Sequence, residues 1–216
     1  MQIDHIFLLS PKHAFIADQL KAFGLRETYR RVHPGQGTEN ICYCFDNLFL
    51  ELLWVTSEAD VQSPLIARTG LYERWRGGQA GACPFGIAWR ADGGETLEAP
   101  QWDFRPPYLP AGLSIKIAEG SKDPLQPLVF ESPGTMAPID WPLERRGQLQ
   151  HGSGWGSIDG ITITPPANHV ISPVVAEVAR KTFVKIAIGE GHDWLMSVSI
   201  VGRNDAQGAL LHLPPL

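Results

Sequence analysis

The sequence predicts an α+β fold: paired βαβββ modules form a curled mixed sheet around a cleft, with an extra helix-poor strand segment between them. Three observations predict it. The first 55 residues spell strand, helix and three strands. The last third spells the same order again. Between them, after a helical connector, residues 83–156 carry short apolar runs and many Gly and Pro residues, with no helical period over 91–110.

Residues 3–9 are short and mostly apolar, the mark of a buried strand. Ser10-Pro11 suits a helix start, serine as N-cap and proline in the first turn. Ile16, Leu20 and Phe23 recur at i, i+4 and i+7, an amphipathic helix that Gly24 is placed to end. Residues 28–32 read as extended and 33–37 as a turn-rich loop. Residues 40–45 and 48–55 read as strands around an Asp46-Asn47 turn. Residues 57–75 read as a helical connector, broken at 77–81. Further strands fall at 85–90, 113–118 and 127–132, and 133–156 is irregular. In the last third, Ile171, Val174, Val175 and Val178 make a helical stripe, between a strand near Ile158 and three strands at 183–188, 194–201 and 209–213. The organisation expected is a first module (1–56), a helical connector (57–82), additional strands and loops (83–156) and a second module (157–216), all in one compact domain.

Composition narrows the function. The 216-residue chain carries a net charge of -5 and no basic block, which argues against nucleic acid. No apolar run nears the roughly 18 residues of a membrane span, and the start has no basic leader region. Cys42, Cys44 and Cys83 are odd in number and read as reduced thiols of a cytoplasmic protein. They have no finger-like zinc spacing and no cationic neighbour that would make a nucleophile. No Gly-x-Ser-x-Gly elbow is present.

Strand alternation puts Ile3, His5 and Phe7 on one face and Phe49, Glu51 and Leu53 on one face of a later strand. A carboxylate among apolar neighbours is costly unless it is paired or bound to a metal. The duplication aligns His5 with Gly160 and Glu51 with His212. His212 would then enter the same cleft, making a two-histidine, one-carboxylate set suited to Fe, Mn, Ni, Co or Zn. Such an ion would act as a Lewis acid on a small oxygenated substrate. The structural alternative is a satisfied core histidine at position 5 and an exposed edge-strand histidine at 212. Glu131 is a rival ligand if the middle segment is the true partner of the first.

A second cluster, from His33 through Gly35, Gly37 and Thr38 to Asn40, could bring backbone amides and His33, Thr38 and Asn40 to a substrate; the alternative is an ordinary turn. A third, His151-Gly152-Ser153-Gly154, has similar composition and could bring His151 to the same cleft mouth, or be an unrelated turn. His13, His169 and His192 read as solvated. Trp102 to Tyr108, with Phe104, could wall an apolar pocket.

Together, Ile3-Asp4-His5-Ile6, the His33-to-Asn40 segment and Leu50-Glu51-Leu52-Leu53 resemble the glyoxalase-like group of the vicinal oxygen chelate superfamily. The resemblance implies paired βαβββ modules around a metal-sized cleft, with ligands from first and last strands. His5 and Glu51 match those places. Gly160 does not, so the resemblance implies at most a three-ligand site with His212. The expected function is a divalent-metal-dependent lyase, isomerase or dioxygenase acting on a small oxygenated substrate. The alternative is a metal-free protein that binds or sequesters a small molecule. A homodimer is compatible with the sequence.

Overall fold

The computed structural model describes residues 1–77, 81–204 and 206–213, so the expected break at 77–81 falls partly outside the described residues. The fold is α+β with two mixed sheets. The first unit runs β1 (Gln2–Leu9), α1 (His13–Phe23), β2 (Tyr29–His33), β3 (Thr38–Cys44) and β4 (Phe49–Val55), as its patterning predicts. Gly24 ends α1 in the left-handed conformation, φ 102°. Ser10 does not cap α1 as an N-cap residue; its hydroxyl accepts from the Lys12 amide two residues on.

The connector is two short helices, α2 (Glu58–Val61) and α3 (Leu71–Arg76). The middle segment then supplies β5 (Phe85–Arg90), β6 (Gln101–Phe104), β7 (Ile115–Ala118) and β8 (Leu128–Glu131). A four-residue helix, α4 (Leu143–Arg146), interrupts the irregular stretch before β9 (Trp155–Thr164), α5 (Pro173–Lys181), β10 (Val184–Ile186), β11 (Leu195–Gly202) and β12 (Ala209–Leu213).

Eight strands form one sheet in the order β2-β3-β4-β1-β5-β8-β7-β6. The order is symmetric about the antiparallel β1–β5 pair. Outward on one side, β1 pairs in parallel with β4; on the other, β5 pairs in parallel with β8. The partner of the first unit in this sheet is therefore the middle segment. The last third keeps the expected order of elements but pairs differently, as β10-β9-β11-β12. Its closing strand β12 lies beside β11 rather than returning to β9. Order along the chain and alternation along each strand carry no information on which neighbour a strand chooses, so the repeat in the sequence did not carry over to the pairing.

The small sheet packs on the back of the large one. Ile161, Val198, Leu211 and Leu213 share a buried cluster with Ile6, Leu8, Ile87 and Trp89, and with Ile16 and Leu20 of α1. No helix lies between β5 and β6. Instead α5 covers the back of the middle segment, burying Val174, Val175 and Val178 in the same cluster. Glu177 on α5 accepts from the amides of Glu98 (2.7 Å) and Ala99 (3.3 Å), while Lys181 donates to the Thr96 carbonyl. The other face of the large sheet carries a second apolar cluster with Phe7, Leu53, Ala88, Phe104, Leu128 and Phe130, roofed by Val61, Ile66 and Leu71 of the connector. Among the described residues, no helix is long and apolar enough to cross a membrane, and the three cysteines are free and buried.

Arg74 of α3 organises the loop that leads into β8. Its guanidinium is fully buried and donates to the carbonyls of Ser121 (2.8 Å), Asp123 (3.1 Å), Pro124 (3.1 Å), Cys83 (3.3 Å) and Gln126. Burial pulls its pKa down to about 10, so it stays protonated at neutral pH. Replacing it leaves several buried carbonyls without a donor, at about 1–3 kcal/mol for each unsatisfied group. Arg74→Met is expected to lower stability by about 3 kcal/mol or more in urea unfolding; a loss below about 1 kcal/mol would show that the loop does not depend on it.

Candidate functional site

The cleft lies on the face of the large sheet opposite α1 and the small sheet. Its volume is about 480 Å³, within the usual range of roughly 300–1,000 Å³ for small-molecule sites. Phe7, Leu53, Phe104, Leu113, Leu128 and Phe130 supply apolar walls. Tyr108 and Phe104 line it as the proline-rich loop suggested, whereas Trp102 does not and lies under the Arg68 guanidinium instead.

At its base, three side chains stand in a row: Asp4, His5 and Glu51. His5 Nδ1 lies 2.7 Å from Asp4 Oδ1, and His5 Nε2 lies 3.4 Å from Glu51 Oε2. The imidazole stacks on Phe49 at 4.4 Å between centroids and meets the Phe130 ring edge-on at 5.4 Å. All three polar residues are buried.

Two consecutive residues on one face break the rule of alternation. The pairing of β1 with β5 shifts by one between Ile3, opposite Trp89, and His5, opposite Ala88, leaving Asp4 as an extra residue. This is a β-bulge, which re-aims side chains. Ile3 therefore joins Ile6 and Leu8 on the back face, not His5 and Phe7 as strict alternation predicts. Asp4 joins His5 in the cleft.

Asp4 has a second anchor. Arg90 of β5 lies 3.5 Å from its Oδ2 and also donates to the carbonyls of Ile3 and Asn47. Burial alone would raise the Asp4 carboxyl, but the His5 contact, the Arg90 charge and the Ser132 hydroxyl together hold it below the usual carboxylate range. Asp4 is thus an acceptor, and it fixes the proton on His5 Nδ1. That leaves Nε2 facing Glu51 and the cleft. Glu51 is held from the other side by Asn40, whose amide donates to Oε1 at 2.6 Å while its own Oδ1 accepts from the Arg31 amide.

The His33 loop supports this row from one side. His33 Nδ1 and Gln36 Nε2 both contact the Thr38 hydroxyl, at 2.9 and 2.8 Å. His33 and Asn40 line the cleft; Thr38 is fully buried behind them and acts on their positions. The loop glycines serve packing. Gly37 has φ 74°, and a Cβ there would lie 2.4 Å from the Ser57 carbonyl.

The structure does not bring the remaining expected residues to the cleft. His212 is exposed on β12, on the face opposite buried Leu211 and Leu213, and contacts Ser197 at 2.9 Å. Its neighbours in sequence pack on the back of the large sheet, so alternation turns His212 to solvent. His151 contacts Asp46 at 2.5 Å and ties its loop to the β3–β4 turn. Glu131 turns away from Phe130 and pairs with Lys116 at 3.3 Å. Sequence reasoning missed Asp4, Arg90 and the two arginines at the mouth, Arg31 and Arg145. A signal for the first was present: a charged residue inside an apolar strand faces the core under strict alternation, and a bulge removes that conflict.

An Fe, Mn, Ni, Co or Zn ion, which the resemblance implies, is held by about three or four protein donors. β1 and β4 offer His5 Nε2 and Glu51. The cleft-facing positions of β5 and β8 are Gly86, Ala88, Leu128 and Phe130, which cannot ligate, and Arg90 already places a positive charge beside Asp4. Among the described residues, no group of three or more His, Cys, Asp or Glu side chains is arranged to hold a metal. The donor set does not fit the ion.

Residues 3–99, from β1 to just past β5, match the glyoxalase-like domain family. Over this stretch the chain is similar to that family. A search of curated proteins finds no match. Among solved structures, a variant of Streptomyces coelicolor methylmalonyl-CoA epimerase in complex with 2-nitronate-propionyl-CoA is similar at 14% identity and a TM-score of 0.40, over 61% of this chain and 97% of its own. A hypothetical protein from Staphylococcus aureus is similar at 12% identity and a TM-score of 0.42, over 97% of this chain and 84% of its own.

Two buried groups in the cleft titrate in the same direction. Burial lowers the His33 pKa below its ordinary 6.5, with Arg31 and His5 adding to the effect against Glu51. The unfolded chain then binds more protons as pH falls, so the His33 contribution is present above about pH 6.5 and lost on acidification. The Asp4 contribution is present above its ordinary 3.8 and is lost as pH falls through its lower folded value. Melting temperatures of the wild type are expected to fall between about pH 7.5 and 5, and those of His33→Gln to be flatter in that window. Equal slopes would mean that His33 is not held neutral by the fold.

Proposed function

We propose that the protein binds a small oxygenated molecule in the cleft and moves a proton on it, as an isomerase or lyase that needs no resident metal. The observation that carries this reading is the row Asp4–His5–Glu51 at the base of an apolar cleft. A base oriented by a third group, beside a second acid–base side chain, is the arrangement that proton transfer requires. Glu51 removes a proton from a carbon next to a carbonyl. The electron pair of that C–H bond moves toward the carbonyl oxygen, and the imidazolium form of His5, which keeps its Nδ1–H on Asp4, gives its Nε2 proton to the oxygen as charge develops and is left as the Nδ1–H neutral ring. Return of the proton to the opposite face, or to the neighbouring carbon, gives an isomer; loss of a leaving group from the same intermediate gives a lyase product. Phe49 and Phe130 confine the imidazole and keep water from the row. Asn40 holds Glu51, and Asp4 with Arg90 holds His5.

Two donors are too few for the metal-dependent reactions, dioxygenase chemistry included, so this reading does not route through an ion. The second reading is sequestration in the same cleft without chemistry. Its support is that β5 and β8 present Ala88, Leu128 and Phe130, none of them an acid or a base, to the cleft beside the row.

The test is deuterium exchange in D₂O on a panel of small 2-oxo and 2-hydroxy carbonyl compounds, followed by nuclear magnetic resonance. Wild type is expected to exchange a carbon-bound proton of at least one compound. Glu51→Gln and His5→Gln are each expected to lose about 10²–10⁴-fold. Rates untouched by either substitution, or a compound that binds without any exchange, would overturn proton transfer; the second result favours sequestration. Dialysis against a chelator is expected to leave the wild-type rate unchanged.

A further inference from the structure

The cleft is charged unevenly. Its base holds two carboxylates, Asp4 and Glu51, with Arg90 beside Asp4. Its mouth holds two exposed guanidiniums, Arg31 of β2 and Arg145 of α4, both lining the cavity. Both rest against aromatic rings that lie next to each other. Arg145 lies 3.7 Å from the Trp141 ring centroid, Trp141 lies 6.2 Å from Tyr29, and Arg31 lies 5.9 Å from the Tyr29 ring. Among the described residues neither forms an ion pair, whereas Arg30, Arg68, Arg90 and Arg105 all do. The Arg31 backbone is further fixed by the Asn40 side chain that holds Glu51.

A guanidinium laid on an aromatic face has already lost much of its rotamer freedom, so ordering it around a ligand costs less. A planar fork so placed matches a carboxylate. The base, by contrast, repels an anion.

We propose that the ligand is an apolar monocarboxylate, held with its carboxylate at Arg31 and Arg145 and its uncharged oxygenated end at His5 and Glu51. The reactive end rests on the proton-transfer reading; the carboxylate subsite does not. The apolar body fills the space among Phe49, Phe130, Leu113 and Trp141. The opposed charges at mouth and base fix the direction in which the ligand enters, which determines the carbon that faces Glu51.

Calorimetric titration with 3-phenylpropanoate and with its uncharged amide, 3-phenylpropanamide, tests the subsite. Wild type is expected to bind the acid about tenfold more tightly than the amide, a margin typical of a charged hydrogen bond. Arg31→Gln and Arg145→Gln are each expected to cut that preference several-fold, and the double variant to abolish it. Both positions are exposed, so an unchanged circular-dichroism melt will verify folding. Equal affinity of wild type for acid and amide, no binding of either, or a preference that survives the double variant would each overturn the proposal. Acid preference without deuterium exchange on any carboxylate would instead leave the subsite standing and remove the proton-transfer reading.

Discussion

Asp4 is a carboxylate buried between two cationic or cation-forming partners, His5 and Arg90, and the order of the cleft follows from that contact. A charge so deep in an apolar strand is tolerated only when paired. The bulge in β1 makes the pairing possible, because it turns Asp4 away from the back core and sets it beside its neighbour in sequence. Arg90 comes from β5, the first strand of the middle segment that forms the second half of the sheet, and its remaining donors reach the carbonyls of Ile3 and Asn47. The same ion pair thus joins the two units across the centre of the sheet and aims the imidazole at Glu51.

The symmetric sheet brings two units together, yet only one of them offers the cleft a base and an acid. β1 and β4 present His5 and Glu51. β5 and β8 present Ala88 and Phe130. The second unit also has no helix between β5 and β6, and α5 from the last third covers that place through its valines and through Glu177. The last third therefore completes the packing behind the sheet. The cleft in front contains one acid–base row, an apolar wall opposite it and a basic mouth.

Much of this was legible in the sequence because it depends on local periodicity. The strands and helix of the first unit, the C-cap at Gly24, and the shared face of Phe49, Glu51 and Leu53 all follow from spacing. The approach of His5 to Glu51 followed from the order of the strands. Three features did not follow. The bulge is a register shift against β5 and leaves no mark in the periodicity of β1 beyond the misplaced charge of Asp4. The pairing of the last third is a choice among neighbours, so the alignment of Glu51 with His212 suggested a shared cleft that the sheet order does not build. The mouth arginines come from β2 and from an irregular stretch more than a hundred residues later, and only tertiary packing brings them to one aromatic wall.

The central claim is that Asp4 fixes the His5 tautomer so that Nε2 faces Glu51. Nitrogen-15 resonance of the imidazole tests it most directly. The expected spectrum shows His5 Nδ1 protonated and slow to exchange, with its proton shifted downfield by the Asp4 carboxylate. An unprotonated Nδ1, with the proton of the neutral ring on Nε2, would contradict the account.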